Sequence, residues 1–135
     1  MADLLHLTVV TPEKALIDEM ADEVRAPGLG GYLGVLPGHA PLFSELQTGI
    51  LNYTQNGRTE TFVISRGFVE VMDNAVRVLA DVAEAPSDID VGRATAARKR
   101  AEERIAGGTD DTDYTRAQSS VERADTRLRV AGKQD

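Results

Sequence analysis

The sequence predicts an α+β protein in which the strands come first and the helices last. Residues 1–85 read as a β-sandwich or flattened barrel, and residues 86–135 as an antiparallel helical hairpin. Three observations carry this reading. The hydrophobic period is two before Pro86 and changes to helical spacing after it. Four of the five prolines and eight of the twelve glycines lie in the first part, as closely spaced turns require. The charge pattern changes as well: residues 1–85 hold twelve acidic and five basic side chains, whereas residues 86–135 hold ten of each.

The strands can be taken in order. Leu5, Leu7 and Val9 alternate with His6 and Thr8 until Thr11-Pro12 breaks the run. Hydrophobic stretches follow from Ala15 to Met20 and around Val24. Pro27 to Pro41 is too rich in glycine and proline for a helix, and reads as a rigid, shaped loop containing a short strand. Ile50 to Gln55 and Arg58 to Ser65 flank Asn56-Gly57, the strongest short hairpin signal, because a type I′ turn needs positive φ at both central residues. Phe68 to Met72, Asp73-Asn74 and Ala75 to Val82 repeat the arrangement.

Pro86-Ser87 marks the boundary. Ser87 is a good N-cap, and Ser87-x-x-Asp90 resembles a capping box. The Ala-, Arg-, Lys- and Glu-rich stretch from there to Ala106 favours helix, and Gly107-Gly108 ends it. Thr109 to Thr112 offer caps for a second helix running to about Val130. Ala94, Ala97, Ala101 and Ile105 make the first seam, and Tyr114, Ala117, Val121, Ala124 and Leu128 the second. Burial of an alanine contributes about 0.8 kcal/mol, against roughly 1.5–3 for a larger apolar residue. So sparse a seam makes the hairpin marginal by itself.

Several function classes are excluded. With no cysteine, there is no thiolate chemistry, disulfide or cysteine-ligated metal. No run of 18 apolar residues is present, so no spanning helix and no direct membrane insertion are expected. The start of the chain has no basic flank, contrary to a cleaved secretory signal. An acidic body repels nucleic acid. The glycine loop fails as a phosphate loop, because Leu33 stands where Gly28-Leu-Gly30 would need its third glycine. His6 and His39 are the only imidazoles; a cross-strand role suits the first, and a structural or interface role the second. The arginines are the sharper feature. Arg93, Arg100 and Arg104 share one side of helix one, and Arg116, Arg123 and Arg127 one side of helix two. They can converge as a polyphosphate site or lie as a solvated face paired with Asp90, Glu102, Glu122 and Asp125.

At whole-chain scale the sequence resembles the epsilon subunit of rotary (F-type) ATP synthases. The segments that carry the likeness are Gly34-Val-Leu-Pro-Gly-His-Ala-Pro-Leu42, Gly49-Ile-Leu51, Gly67-Phe-Val-Glu-Val71 and Leu7-Thr-Val-Val-Thr-Pro12. The resemblance implies a β-sandwich of about ten strands with a two-helix C-terminal domain. It implies a non-catalytic rotor subunit at the foot of the central stalk, touching the gamma subunit and the c ring of a proton- or sodium-translocating synthase. It also implies a hairpin that inhibits ATP hydrolysis when extended toward the alpha/beta catalytic head. The location implied is peripheral, on the cytoplasmic face of a bacterial inner membrane, with a plastid thylakoid left open.

Two sets of site residues follow from the same resemblance. For the gamma/c-ring contact they are Gly31, Tyr32, Leu33, Gly34, Pro37, Gly38, His39 and Pro41. Many members carry a glutamate ahead of this run; here Gly30-Gly-Tyr-Leu33 stands instead, so no particular salt bridge to the ring is implied. Ile89-Asp-Val-Gly-Arg-Ala94 matches the motif through which some bacterial members bind ATP. That match makes Glu84, Ile89, Asp90, Arg93, Ala94, Arg100, Arg123 and Arg127 the residues for ATP, as a regulatory ligand and not as a required cofactor. A free-standing ATP-sensing module is the alternative function.

Overall fold

The computed structural model describes residues 3–132 and divides into two units between Ala85 and Pro86. In the first unit the described residues form eight strands: β1 (Leu5–Val10), β2 (Ala15–Ala21), β3 (Glu23–Gly28), β4 (Gly31–Val35), β5 (Leu42–Leu46), β6 (Gly49–Gln55), β7 (Arg58–Met72) and β8 (Ala75–Glu84). The two expected hairpin turns form as the backbone chemistry demands, with φ of 52° at Asn56 and 79° at Gly57, and 51° at Asp73 and 63° at Asn74.

The strands run in the order β2-β1-β8-β7-β5-β3-β4, with β6 also paired to β3 and β7. All neighbours are antiparallel except β1 with β8. The strand that makes a sandwich of this sheet is β7. Its first half pairs with β6, from Arg58↔Gln55 to Ile64↔Gly49, and its second half with β5, from Gly67↔Leu46 to Val71↔Leu42. Between the halves Arg66 takes φ 54° and Gly67 φ 151°. A Cβ at Gly67 would overlap the Leu79 carbonyl oxygen of β8, so only glycine lets the strand turn there. Thr48 Oγ1, just before β6, and the buried Ser65 Oγ of β7 lie 3.2 Å apart and join the two segments at this corner.

A sandwich of about ten strands was expected; the described residues contain eight, one of which, β7, runs for 15 residues and serves both layers. β5 was not separately anticipated. The core between the layers is built of large aliphatic side chains, among them Leu5, Leu7, Leu51, Ile64, Val69 and Val78, each at most 1% exposed.

The second unit opens with a 3₁₀ turn (Pro86–Asp88), followed by α1 (Val91–Ala106) and α2 (Tyr114–Gly132). Two sequence expectations about caps are corrected. Helix one does not begin at Ser87: that residue lies in the 3₁₀ turn, and Asp90 is the N-cap, its Oδ1 accepting the Arg93 N–H at 3.0 Å. Helix two is capped by Asp113, which accepts the Arg116 N–H at 2.9 Å. Thr112 Oγ1 instead accepts the Thr109 N–H inside the linking turn. In both cases the cap is a carboxylate, favoured by the helix dipole: Asp90 in place of Ser87, and Asp113 one residue beyond the expected stretch 109–112.

The helices pack on each other through small side chains. Ala94, Ala101, Ala117 and Ala124 are buried, as expected, and Thr126 and Val130 join them. The Thr126 hydroxyl donates to the Glu122 carbonyl at 2.8 Å, so it enters the seam without an unmet hydrogen bond. Tyr114 departs from the expected seam: it is 45% exposed and lies across Gly108, where a Cβ would overlap its ring and hydroxyl.

Candidate functional site

In the β unit, no Asp, Glu, Lys or Arg occurs between Arg25 and Glu45. This uncharged segment ends strand β3, forms β4, and passes through a tight turn into β5. The turn is Leu36-Pro37-Gly38-His39. The His39 N–H donates to the Leu36 carbonyl at 3.1 Å, and Gly38 has φ 86°. Proline followed by glycine at positive φ defines a type II turn. His39 Nδ1 lies 2.6 Å from the Ala40 carbonyl oxygen, and Leu36 is 57% exposed at the first turn position.

The residues expected to make contacts here differ in what they do. Gly31, Gly34, Gly38 and Pro41 are exposed, while Pro37 and His39 are half-buried. Leu33 packs against the core. Tyr32 exposes its ring, but its hydroxyl accepts the Ile50 N–H at 3.0 Å and sits where a Cβ on Gly49 would be. Tyr32 therefore holds β4 to the start of β6 while presenting an aromatic edge.

A second surface on this unit was not anticipated. Phe43 and Phe68 stack with ring centroids 5.5 Å apart, and Phe68 stands directly opposite Leu79 in the β7–β8 pairing. The three are 66%, 41% and 57% exposed. Half-buried Val10 continues the row, since it pairs with Leu79. The result is an apolar stripe across strands β5, β7, β8 and β1. The alternation of β7 alone could have suggested it: Val69 and Val71 point inward, which leaves Phe68 outward.

His6 contacts Asp18 across the β1–β2 pair, in agreement with its cross-strand reading. Both side chains are at least half exposed. Among the described residues no helix is long and apolar enough to cross a membrane. Among the described residues no cluster of three or more His, Cys, Asp or Glu could hold a metal.

In the helical unit, Arg98 sets the register. It reaches Asp125 of α2 at 3.2 Å and Glu102 of its own helix at 3.4 Å. This pairing puts Arg100 level with Arg123, and Arg93 within about one turn of the level of Arg127. Arg93 and Arg100 are exposed, whereas Arg123 and Arg127 are half-buried. Arg123 donates to the Ser120 hydroxyl at 3.1 Å. Asp90 is engaged as the N-cap, Ala94 is in the seam, and Ile89 is half-buried, with its N–H 3.3 Å from the Pro86 carbonyl oxygen. Glu84 is the last residue of β8, in the other unit. At the linked end, Arg104 and Arg116 line a shared cleft of about 410 Å³. Arg98 was absent from the rows chosen by spacing, because its interaction runs across the seam and not along a helix face.

Comparison with known proteins gives a consistent result. The family model for the beta-sandwich domain of the ATP synthase delta/epsilon chain matches residues 4–86, and that for the long alpha-helix domain matches residues 87–132. The chain is 48% identical to the ATP synthase epsilon chain of Nitratidesulfovibrio vulgaris (strain DP4) over 132 residues, 98% of each chain. It is 46% identical to that of Syntrophobacter fumaroxidans over 133 residues, covering 98% of this chain and 99% of the relative. Among solved structures, a chain of the Euglena gracilis mitochondrial ATP synthase OSCP/F1/c-ring assembly superposes with TM-score 0.81 at 23% identity, over 91% of this chain and 78% of that one. A chain of the Tetrahymena thermophila central stalk/c-ring structure does so with TM-score 0.56 at 17% identity, over 98% and 97%. These two likenesses are of fold.

Proposed function

The chain belongs to the epsilon-chain family of ATP synthases, and from that membership we propose that it is a non-catalytic subunit of the central stalk. In this reading it joins the gamma subunit to the c ring and restrains ATP hydrolysis through its helical hairpin. The observation that carries the reading is the apolar stripe of Phe43, Phe68 and Leu79. Water-exposed aromatic stacking on an otherwise acidic sheet suits a permanent protein interface. The gamma subunit is the partner for the stripe, and the uncharged turn at 36–39 meets the polar loops of the ring. The unit would then sit peripherally at the foot of the stalk, on the cytoplasmic face of the membrane in a bacterium.

The paired Phe43→Ser and Phe68→Ser variant tests this. It should fold, since neither ring belongs to the buried core, and it should lose co-purification with gamma. Retained co-purification would overturn the assignment of the stripe. A truncation after Ala85 should leave a folded β unit and raise the ATPase rate of the reconstituted catalytic head. An unchanged rate would remove the inhibitory role.

For the hairpin, ATP is the proposed regulatory ligand, with Arg93, Arg100, Arg123 and Arg127 as phosphate partners and the Asp90 cap as the start of the site. Ligand at a hundred times its dissociation constant adds about 2.7 kcal/mol to the closed form, enough to bias a marginal hairpin. Calorimetry with the isolated chain should show heat that Arg93→Ala and Arg127→Ala abolish. A free-standing ATP sensor would leave the apolar stripe without purpose, which favours the stalk reading.

A further inference from the structure

The turn at 36–39 is held in place by a side chain from elsewhere in the β unit. Asn74 closes the β7–β8 hairpin, and its amide Oδ1 accepts the Gly38 N–H at 2.7 Å. Its backbone carbonyl accepts the His6 N–H at 2.8 Å. One half-buried residue thus ties together the start of β1, the β7–β8 turn and the Leu36–His39 turn.

The Gly38 N–H is the informative donor. In a β-turn the peptide between the two central residues can face either way, and its orientation separates type I from type II. Here that peptide joins Pro37 to Gly38. The turn's own hydrogen bond, His39 N–H to the Leu36 carbonyl, forms in both types and does not choose between them. An acceptor fixed 2.7 Å from the Gly38 nitrogen does choose, because flipping the peptide turns that N–H away from it. With the peptide held, Leu36 and Pro37 are presented in one arrangement.

We propose that Asn74 is a positioning residue, which locks the Leu36–His39 turn in its type II form and so pre-organises it for the stalk partner. The proposal rests on the reading of that turn as a contact. Its own chemistry can be tested apart from that reading. Pre-organisation acts by removing the ordering cost from the binding step. Asn74 serves two purposes in one residue: asparagine tolerates the left-handed conformation its turn needs, and its side chain reaches Gly38.

The discriminating variant is Asn74→Gly. Asp-Gly is a favoured pair for a type I′ turn, so the β7–β8 hairpin persists while the acceptor is lost. Amide exchange at Gly38, read by NMR, should accelerate about 2- to 10-fold, the range expected for one net hydrogen bond. Affinity for the gamma–c-ring stalk complex should fall by a comparable factor, with the thermal midpoint lowered by only a few degrees. Asn74→Asp keeps a carboxylate oxygen as acceptor and should restore both readings. Unaltered exchange at Gly38 in Asn74→Gly would overturn the clamp. Faster exchange with unaltered stalk affinity would overturn its positioning role. Leu36→Asp leaves the clamp intact and should weaken stalk binding. If it does not, the contact reading of the turn fails, while the exchange measurement still decides the clamp.

Discussion

The two units of this chain are built on opposite terms. The β unit encloses leucine, isoleucine and valine between layers tied by long-range strand pairing, and its deepest side chains are at most 1% exposed. The helical unit closes on alanines, one threonine and one valine, with Ile105, Val121 and Leu128 only half-buried. Each large aliphatic side chain buried in the first contributes two to four times what an alanine contributes in the second. The difference teaches where a regulatory element can be placed. A scaffold that must stay attached while other parts move needs a deep core. An element that must release needs a closed state only slightly better than its alternatives. The proposed stalk function calls for both, and the chain divides between Ala85 and Pro86 into a unit with a deep core and a unit with a sparse one.

The comparison is tested hardest in the β core. Leu51→Ala or Ile64→Ala should cost about 2–5 kcal/mol, because fully enclosed side chains leave a cavity. Chemical denaturation followed by far-ultraviolet circular dichroism would measure it, and a cost under about 1 kcal/mol would break the contrast. Gly67→Ala should be comparably damaging for a different reason: its Cβ has no room against the Leu79 carbonyl, and a smaller residue does not exist. In the helical unit, Ala124→Gly should cost about 1 kcal/mol through helix propensity, and lower hairpin helicity while the β unit stays folded. Simultaneous loss of both units on this substitution would show that the hairpin is not separately cooperative.

The turns and the division into units were legible because each depends on local chemistry. Asn56-Gly57 and Asp73-Asn74 announce positive φ wherever they are placed. The Ala94, Ala101, Ala117 and Ala124 seam could be read because one helix face repeats every seven residues. What was not legible depends on partners remote in sequence. The alternation of β7 sets Phe68 outward beside Glu70, but the stripe escaped because its other members, Phe43, Leu79 and Val10, come from strands that only the pairing brings alongside. β7 passes from one layer to the other at Gly67, and only the crossing β8 backbone reveals why glycine is needed there. The helix caps were misplaced by a few residues because Ser87, Asp90, Thr112 and Asp113 are all competent, and the path of the chain decides among them. In the site, the resemblance supplied Arg93, Arg100, Arg123 and Arg127, but spacing could not supply Arg98 or the side chain of Asn74.

Arg98 gives the finest test of the contrast between the units. Its pairs with Asp125 and Glu102 are about half exposed, so each belongs to the class of surface ion pairs worth roughly 0.2–1 kcal/mol. In the β unit such a sum would vanish against the core. In the hairpin it is a real fraction of the margin, and the Asp125 pair joins α1 directly to α2. Asp125→Asn should therefore shift the hairpin toward its open form by about 1.4- to 5-fold at low salt, following from the same range. Raising the salt concentration should shrink the difference, because exposed pairs are screened. A pair of labels, one on each helix, read by energy transfer would report the opening. Equal opening of both proteins at low salt would mean that the alanine seam alone holds the hairpin. The ion pair would then fix only the register of α1 against α2.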